Sequence, residues 1–328
     1  MRDHGRVLMV HQGALGDFLL MLPAVEAFHR LYPHLQIDFQ AKSEHLALIG
    51  HRAYFGSAHP FGGPELAPFH HEDLWREALV PALFREWDEI FIFGQDGAEV
   101  LSKRLSLRLG KRVRWVRSFS VRGEGGHASC LILDQFRKMG FPLRDLPVRL
   151  PPREEEKLWV EDWLSSRGWV GEARPVMVHP GSGGSGKIWP LANWWALLEW
   201  LRANDAGPVL MTLGPADEAL KDFSRKAGGK GAVILEDLPL ARLAAFLAEG
   251  RFYVGSDSGV SHLASVMGVP AFVIFGPTNP AVWAPRNPNA CIIKDEWVRS
   301  EVLTWSERDA PIELNPRVKQ ALEDYILR

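Results

Sequence analysis

Short apolar runs alternate with longer amphipathic segments along the whole chain. Residues 6–12 (RVLMVHQ) form a run of strand length, and residues 17–33 (DFLLMLPAVEAFHRLYP) are long enough for a helix with an apolar face. Strands are also predicted at 36–42, 89–94 and 113–116, and helices near 97–109 and 127–139. A second series places strands at 175–181, 208–214, 232–237, 252–257 and 270–276, each separated from the next by a helix or turn. Such alternation predicts an α/β fold in which helices pack on a mostly parallel, doubly wound sheet.

Between the two series, residues 140–156 (GFPLRDLPVRLPPREEE) are proline-rich and carry no sustained period. A linker here divides the chain into domains 1–150 and 151–328. The last segment, 315–328, has helical spacing and can pack on either domain, including back on the first. A length of 328 residues with 46% hydrophobic residues is ample for two cores.

A formal net charge of −2 gives no global sign of a nucleic-acid partner, so any charged surface must be local. One local run stands out. Lys103, Arg104, Arg108, Lys111, Arg112, Arg114, Arg117 and Arg122 follow one another without an acidic residue. They read either as a solvated face or as a contact for an anionic acceptor or an anionic membrane surface. Cys130 and Cys291 lie far apart with no metal-ligand spacing, which argues against zinc or a disulfide framework and suits a reducing cytoplasm. Residues 1–10 lack an apolar signal-peptide core, and no apolar run reaches the roughly 20 residues of a membrane helix. The expectation is a cytoplasmic protein, with peripheral attachment to a membrane left open.

Three glycine-containing loops fall where strands end, which is where ligands bind in doubly wound sheets. The first, HQGALGDF, has too few glycines for a dinucleotide turn, and Asp17 would repel a pyrophosphate at the helix start. Asp17 reads either as a favoured helix cap or as a carboxylate ready to take a proton from a substrate hydroxyl. The second, HPGSGGSGKIWP, sets Gly181, Gly186 and Lys187 on the P-loop frame, but Ile188 stands where a magnesium-binding hydroxyl is required. Pro190 would clash inside a helix starting at the lysine and fits the first turn of a later one. A flexible loop presenting Lys187, with Ser182 and Ser185 as hydroxyl donors, is therefore expected. In the third, GSDSGVSHLASVMGVP, a helix starting at 258–260 aims the N–H groups of Ser258 and Gly259 at an anion. With Asp257, His262 and the turn at 276–278, this reads as a nucleotide site, although a lone histidine is more often structural.

Taken in order, GALGDFLLMLPAVEAFHRLYP, HPGSGGSGKIWPLANWWALLEWL and GSDSGVSHLASVMGVPAFVIFGPTNPAVWAP resemble glycosyltransferase family 9, the bacterial heptosyltransferases of the lipopolysaccharide inner core. The resemblance implies a GT-B fold, two Rossmann-like domains facing across a cleft, the first binding acceptor and the second the nucleotide sugar. It further implies inversion at the anomeric carbon with no bound metal and no cofactor. By that resemblance the catalytic aspartate is Asp17, in an acceptor-binding loop with Gly13 and Gly16, and the phosphate-binding lysine is Lys187. Asp257, Ser258, Gly259, Ser261 and His262 match the family's nucleotide-sugar element. Ser182 and Gly183 stand where many members have threonines, and Glu218, beside Asp217, best matches the ribose-binding acid. The implied donor is ADP-heptose, the implied partner an anionic glycolipid acceptor, with peripheral contact at the inner membrane and no nucleic acid. A magnesium-dependent ATPase or kinase, and a non-catalytic nucleotide-sugar sensor of the same fold, remain alternatives.

Overall fold

The computed structural model describes residues 5–60, 66–110, 113–120, 126–306 and 313–326. It forms two compact units, Met1–Val148 and Arg149–Arg328.

In the first unit, strands β1 (Val7–His11), β2 (Ile37–Ala41), β3 (Phe55–Pro60), β4 (Glu89–Gly94) and β5 (Val113–Arg117) form a parallel sheet in the order β3-β2-β1-β4-β5. Every residue of β1 and β2 is buried, as expected of central parallel strands covered on both faces. Helices α1 (Leu15–Leu31), α2 (Ser43–Ile49), α3 (Ala67–His70), α4 (Asp96–Leu109) and α5 (Ala128–Lys138) accompany the sheet. Pro23 lies inside α1 and removes one backbone donor, yet nine buried apolar residues from Phe18 to Phe28 hold that helix in place. Phe28 meets Phe91, Phe136 and Phe141 with ring centroids 5.5–6.2 Å apart, which ties α1 and α5 to the sheet.

The second unit contains β6 (Val176–His179), β7 (Val209–Leu213), β8 (Val233–Glu236), β9 (Phe252–Ser256), β10 (Ala271–Phe275) and β11 (Ala290–Lys294), parallel in the order β11-β10-β9-β6-β7-β8. Its helices are α6 (Glu154–Ser165), α7 (Leu191–Ala203), α8 (Lys221–Gly229), α9 (Leu240–Glu249), α10 (Gly259–Met267), α11 (Pro280–Trp283) and α12 (Pro316–Ile326). Val318 and Leu322 of α12 join the core of this unit, and Tyr325 donates to the Arg251 carbonyl at 3.1 Å. The terminal helix therefore packs on the second unit.

Each sheet has one topological switch point. The chain runs outward from β1 to β3 and then crosses to β4, so the carboxyl ends of β1 and β4 adjoin. In the second unit the same break places β6 beside β9. Loops leaving these ends are where such folds hold ligands.

Candidate functional site

At the second unit's switch point, the loop after β6 is sewn to the loop after β9. Ser182 donates from Oγ to the Asp257 carbonyl at 2.7 Å, and Ser256 Oγ donates to the Pro180 carbonyl at 3.0 Å. Lys187 lies in a single tight turn, Ser185–Lys187, with Nζ 3.1 Å from Oδ2 of Asp257. The same carboxylate oxygen accepts from Thr278 Oγ1 at 2.7 Å. From the other side, the Trp297 indole donates to the Gly186 carbonyl at 3.1 Å, and Arg299 reaches Ser185 Oγ at 3.4 Å. The glycine-serine loop is thus tied down on several sides, where sequence alone suggested a flexible one. Helix α7 begins only at Leu191 and Ile188 is buried, so the P-loop frame of residues 181–188 is not the strand-loop-helix that the motif requires.

Two glycines here serve close approach. A Cβ on Gly181 would overlap the Asp217 carboxylate, and one on Gly276 would overlap the Trp297 ring. Asp217 is buried, accepts from the Gly214 N–H at 2.8 Å and stands 4.0 Å from His179 Nε2. Burial pushes the His179 pKa down against the opposing pull of Asp217. Glu218, by contrast, points outward, 78% exposed, and pairs with Lys221 at 2.6 Å. Of the two adjacent acids, Asp217 is enclosed and Glu218 is open to solvent.

Ser258 caps α10 with its side chain, accepting from Ser261 N at 3.4 Å. Ser261 donates to the Ser256 carbonyl at 2.6 Å and lies 2.9 Å from the Tyr253 hydroxyl, so its role is to hold the turn. Asp257, Ser258 and His262 are buried, while Gly259 and Val260 are partly exposed at the start of the helix, where backbone N–H groups lack intrahelical partners. Gly183 is exposed with open space on its α-carbon.

In the first unit, Ala14 occupies the N-cap of α1 and Asp17 stands in its first turn, half-buried. Gly13 lies between two groups. A Cβ there would sit 3.0 Å from Asp17 Oδ2 and 3.0 and 3.1 Å from Cε1 and Nε2 of His11. His11, the last residue of β1, is 1% exposed, and neither ring nitrogen has a hydrogen-bond partner among the described residues. Burial, with His45 and Lys42 nearby, pushes its pKa down to about 3. His45 is equally buried, its ring 6.2 Å from His11 and 5.0 Å from Phe18, and burial with Lys42 lowers it to about 4. Both imidazoles are neutral at physiological pH. Gln12 Nε2 and Gln95 Oε1, beyond the adjoining ends of β1 and β4, are also buried and unpartnered among the described residues. Buried polar atoms are rarely left unmatched, so these atoms call for partners.

Sequence reasoning missed His11 and His45, although a histidine ending a buried strand before a glycine loop is a usable signal. Several members of the 103–122 run have partners. Arg104 donates to the carbonyls of Phe69 and His71, Arg108 to that of Ala78, Arg114 to Glu89, and Arg117 and Lys103 to Asp96 and Glu99. Lys111, Arg112 and Arg122 lie outside the described residues. Among the described residues no cluster of three or more His, Cys, Asp or Glu side chains could hold a metal ion, and no helix is long and apolar enough to cross a membrane.

Residues 136–304 match the model of glycosyltransferase family 9 (heptosyltransferase). The chain is 36% identical to lipopolysaccharide heptosyltransferase 1 of Pseudomonas aeruginosa, with 84% of this chain and 79% of that protein covered. It is 30% identical to the Salmonella typhimurium protein of the same name, with 87% and 93% covered. Among solved structures, E. coli ADP-heptose lps heptosyltransferase II superposes with a TM-score of 0.69 at 16% identity, covering 98% of each chain. E. coli heptosyltransferase WaaC with ADP gives 0.65 at 19% identity, covering 97% of this chain and 99% of that one. Identities this low speak to the fold alone, which is that of the GT-B heptosyltransferases.

Proposed function

The chain belongs to glycosyltransferase family 9 and is a glycosyltransferase, and from that premise we propose that it moves a heptose from ADP-heptose to a lipopolysaccharide core acceptor with inversion and without a metal. The observation that supports this reading most is the convergence of Lys187, Asp257 and the start of α10 at one switch point. As the glycosidic bond to the donor breaks, negative charge grows on the departing diphosphate. Lys187 and the N–H groups at Ser258 and Gly259 stabilise that charge, a preorganised electrostatic contribution of several kcal/mol (roughly 3–4 per donor). Asp257 and Thr278 fix where the ammonium points. Ser182 and Gly183 line the diphosphate loop, Glu218 meets the ribose, and His262 backs the nucleotide-sugar element.

In the first unit Asp17, in the first turn of α1 after Gly13 and Gly16, accepts the proton of the attacking hydroxyl while the hydroxyl oxygen bonds to the anomeric carbon opposite the leaving group. The acceptor is an anionic glycolipid, and cytoplasmic placement with peripheral attachment to the membrane that carries it belongs to the same reading.

The test uses ADP-heptose with a delipidated, heptose-free lipopolysaccharide core. Asp17→Asn lowers transfer by about 10²–10⁴-fold and leaves thermal stabilisation by ADP intact. Wild-type stabilisation by ADP persists in EDTA and approaches about 2.7 kcal/mol at 100 times the dissociation constant. An Asp17→Asn enzyme with near-normal turnover would remove the base assignment. Stabilisation only by ATP with magnesium would remove the donor assignment.

A further inference from the structure

The buried imidazole of His11 has no hydrogen-bond partner among the described residues and lies, like the Asp17 carboxylate, against the bare α-carbon of Gly13, and we propose that His11 is a positioning residue for the base, donating its Nε2–H to the Asp17 carboxylate when the acceptor binds. The proposal rests on the assignment of Asp17 as base.

Three observations converge on it. Asp17 Oδ2 and Cε1 and Nε2 of His11 each lie 3.0–3.1 Å from where a Cβ of residue 13 would stand, so a side chain there would press on both. Gly13 is absent from the glycines with positive φ, so backbone conformation does not explain a glycine here and the narrow gap does. Finally, both nitrogens of a 1% exposed histidine are unmatched among the described residues, a costly arrangement unless a partner arrives in the working complex. Hydrogen bonds around catalytic groups are commonly long in the free enzyme and tighten with substrate.

The chemistry of the ring suits this role. A neutral imidazole resists taking up the proton from Asp17, so its N–H orients the carboxylate without competing for the proton being transferred. That proton passes from the acceptor hydroxyl to Asp17, the hydroxyl's electron pair forms the new glycosidic bond, and the diphosphate leaves with the pair of the old one. His11 neither gains nor loses a proton. Phe18, 5.5 Å from His11 and edge-on to it, and His45 behind it keep the ring fixed.

The experiment compares His11→Leu, His11→Gln and Gly13→Ala with ADP-heptose and the delipidated heptose-free core. His11→Leu lowers kcat by about 10–100-fold, as loss of a buried orienting partner commonly does, with acceptor KM within about threefold and ADP stabilisation unchanged. His11→Gln, which keeps an amide N–H at the ε position, recovers most of the loss. Gly13→Ala reproduces the fall in kcat by wedging the pair apart. Wild-type kcat in His11→Leu, or a Gln variant as poor as Leu, would overturn the proposal. If His11→Leu does not fold, Gly13→Ala decides, and wild-type kcat in that variant overturns it equally. An inactive Asp17→Asn beside active His11 and Gly13 variants sinks this inference alone, whereas an active Asp17→Asn sinks the base assignment beneath it.

Discussion

Nζ of Lys187 and Oδ2 of Asp257 stand 3.1 Å apart, with the lysine side chain 39% exposed and the aspartate 6%. The carboxylate is the buried end of the pair and the ammonium the open one. Asp257 therefore acts by holding Lys187 toward solvent, together with the hydroxyl of Thr278 that shares its oxygen.

A double-mutant cycle measures this coupling. Lys187→Met lowers kcat/KM by about 10²–10³-fold, as loss of an electrostatic stabiliser does, and Asp257→Asn by a smaller factor. The double variant is no worse than Lys187→Met alone, which corresponds to a coupling of about 0.5–3 kcal/mol. Fully additive losses would mean that the two residues act separately.

Gly276→Ala tests the ties on the same loop from a distance. The added methyl displaces the Trp297 ring, and with it the indole bond to the Gly186 carbonyl. Overpacking of this kind costs about 1–3 kcal/mol, and calorimetry is expected to show weaker ADP binding. Unchanged ADP affinity in a destabilised protein would assign Trp297 to stability only.

Asp38 should dominate the polar stability of the first unit. It is buried and accepts from the Trp87 indole at 2.6 Å, Ser57 N at 2.7 Å and Arg6 at 3.1 Å. Asp38→Ala strands buried donors and destabilises by about 2–4 kcal/mol. Urea unfolding reads this as a lower midpoint at constant slope.

The paired histidines predict an acid-sensitive first unit. Folded His11 and His45 titrate near 3 and 4, against an ordinary value of 6.5 in the unfolded chain. As pH falls below about 6.5 the unfolded chain takes up protons first. Stability present above that pH is therefore lost toward pH 4 and below, at up to about 1.4 kcal/mol per pH unit for each histidine. His45→Phe, which keeps the ring packing against Phe18, should flatten this slope by about one proton. Equal slopes in urea series from pH 7.5 to 5 would contradict the buried neutral pair.

What the sequence made legible follows from the range of the forces involved. The buried strands β1, β4, β6, β9 and β10 are short apolar runs, and the glycine loops after β1, β6 and β9 carry local signals of turn and helix start. Strand β3 (FGSAHP) has no alternating pattern and is held by pairing with β2, while β11 is a short edge strand beside β10, and both were missed. Helix α6 starts at Glu154, inside the stretch read as linker, because its acidic first turn looked like part of the break. Lys187, Asp257 and the turn carrying Thr278 were visible as loop residues, but their pairing was not, nor were Trp297 or His11, since each depends on which strands become neighbours. Composition shows the basic run after residue 103 but not which carbonyls and carboxylates engage its arginines.

The strand order of the second unit also dictates a timetable. Ser182 and Asp257 are 75 positions apart, and β7 and β8 must emerge and turn away before β9 can seat against β6. Contacts of such separation form late, because loop closure comes before any reward from them. During synthesis the lysine loop exists well before its anchor. The corner that joins Lys187 to Asp257 is therefore assembled only when most of the second sheet is in place, and a partly folded chain would present Lys187 untethered.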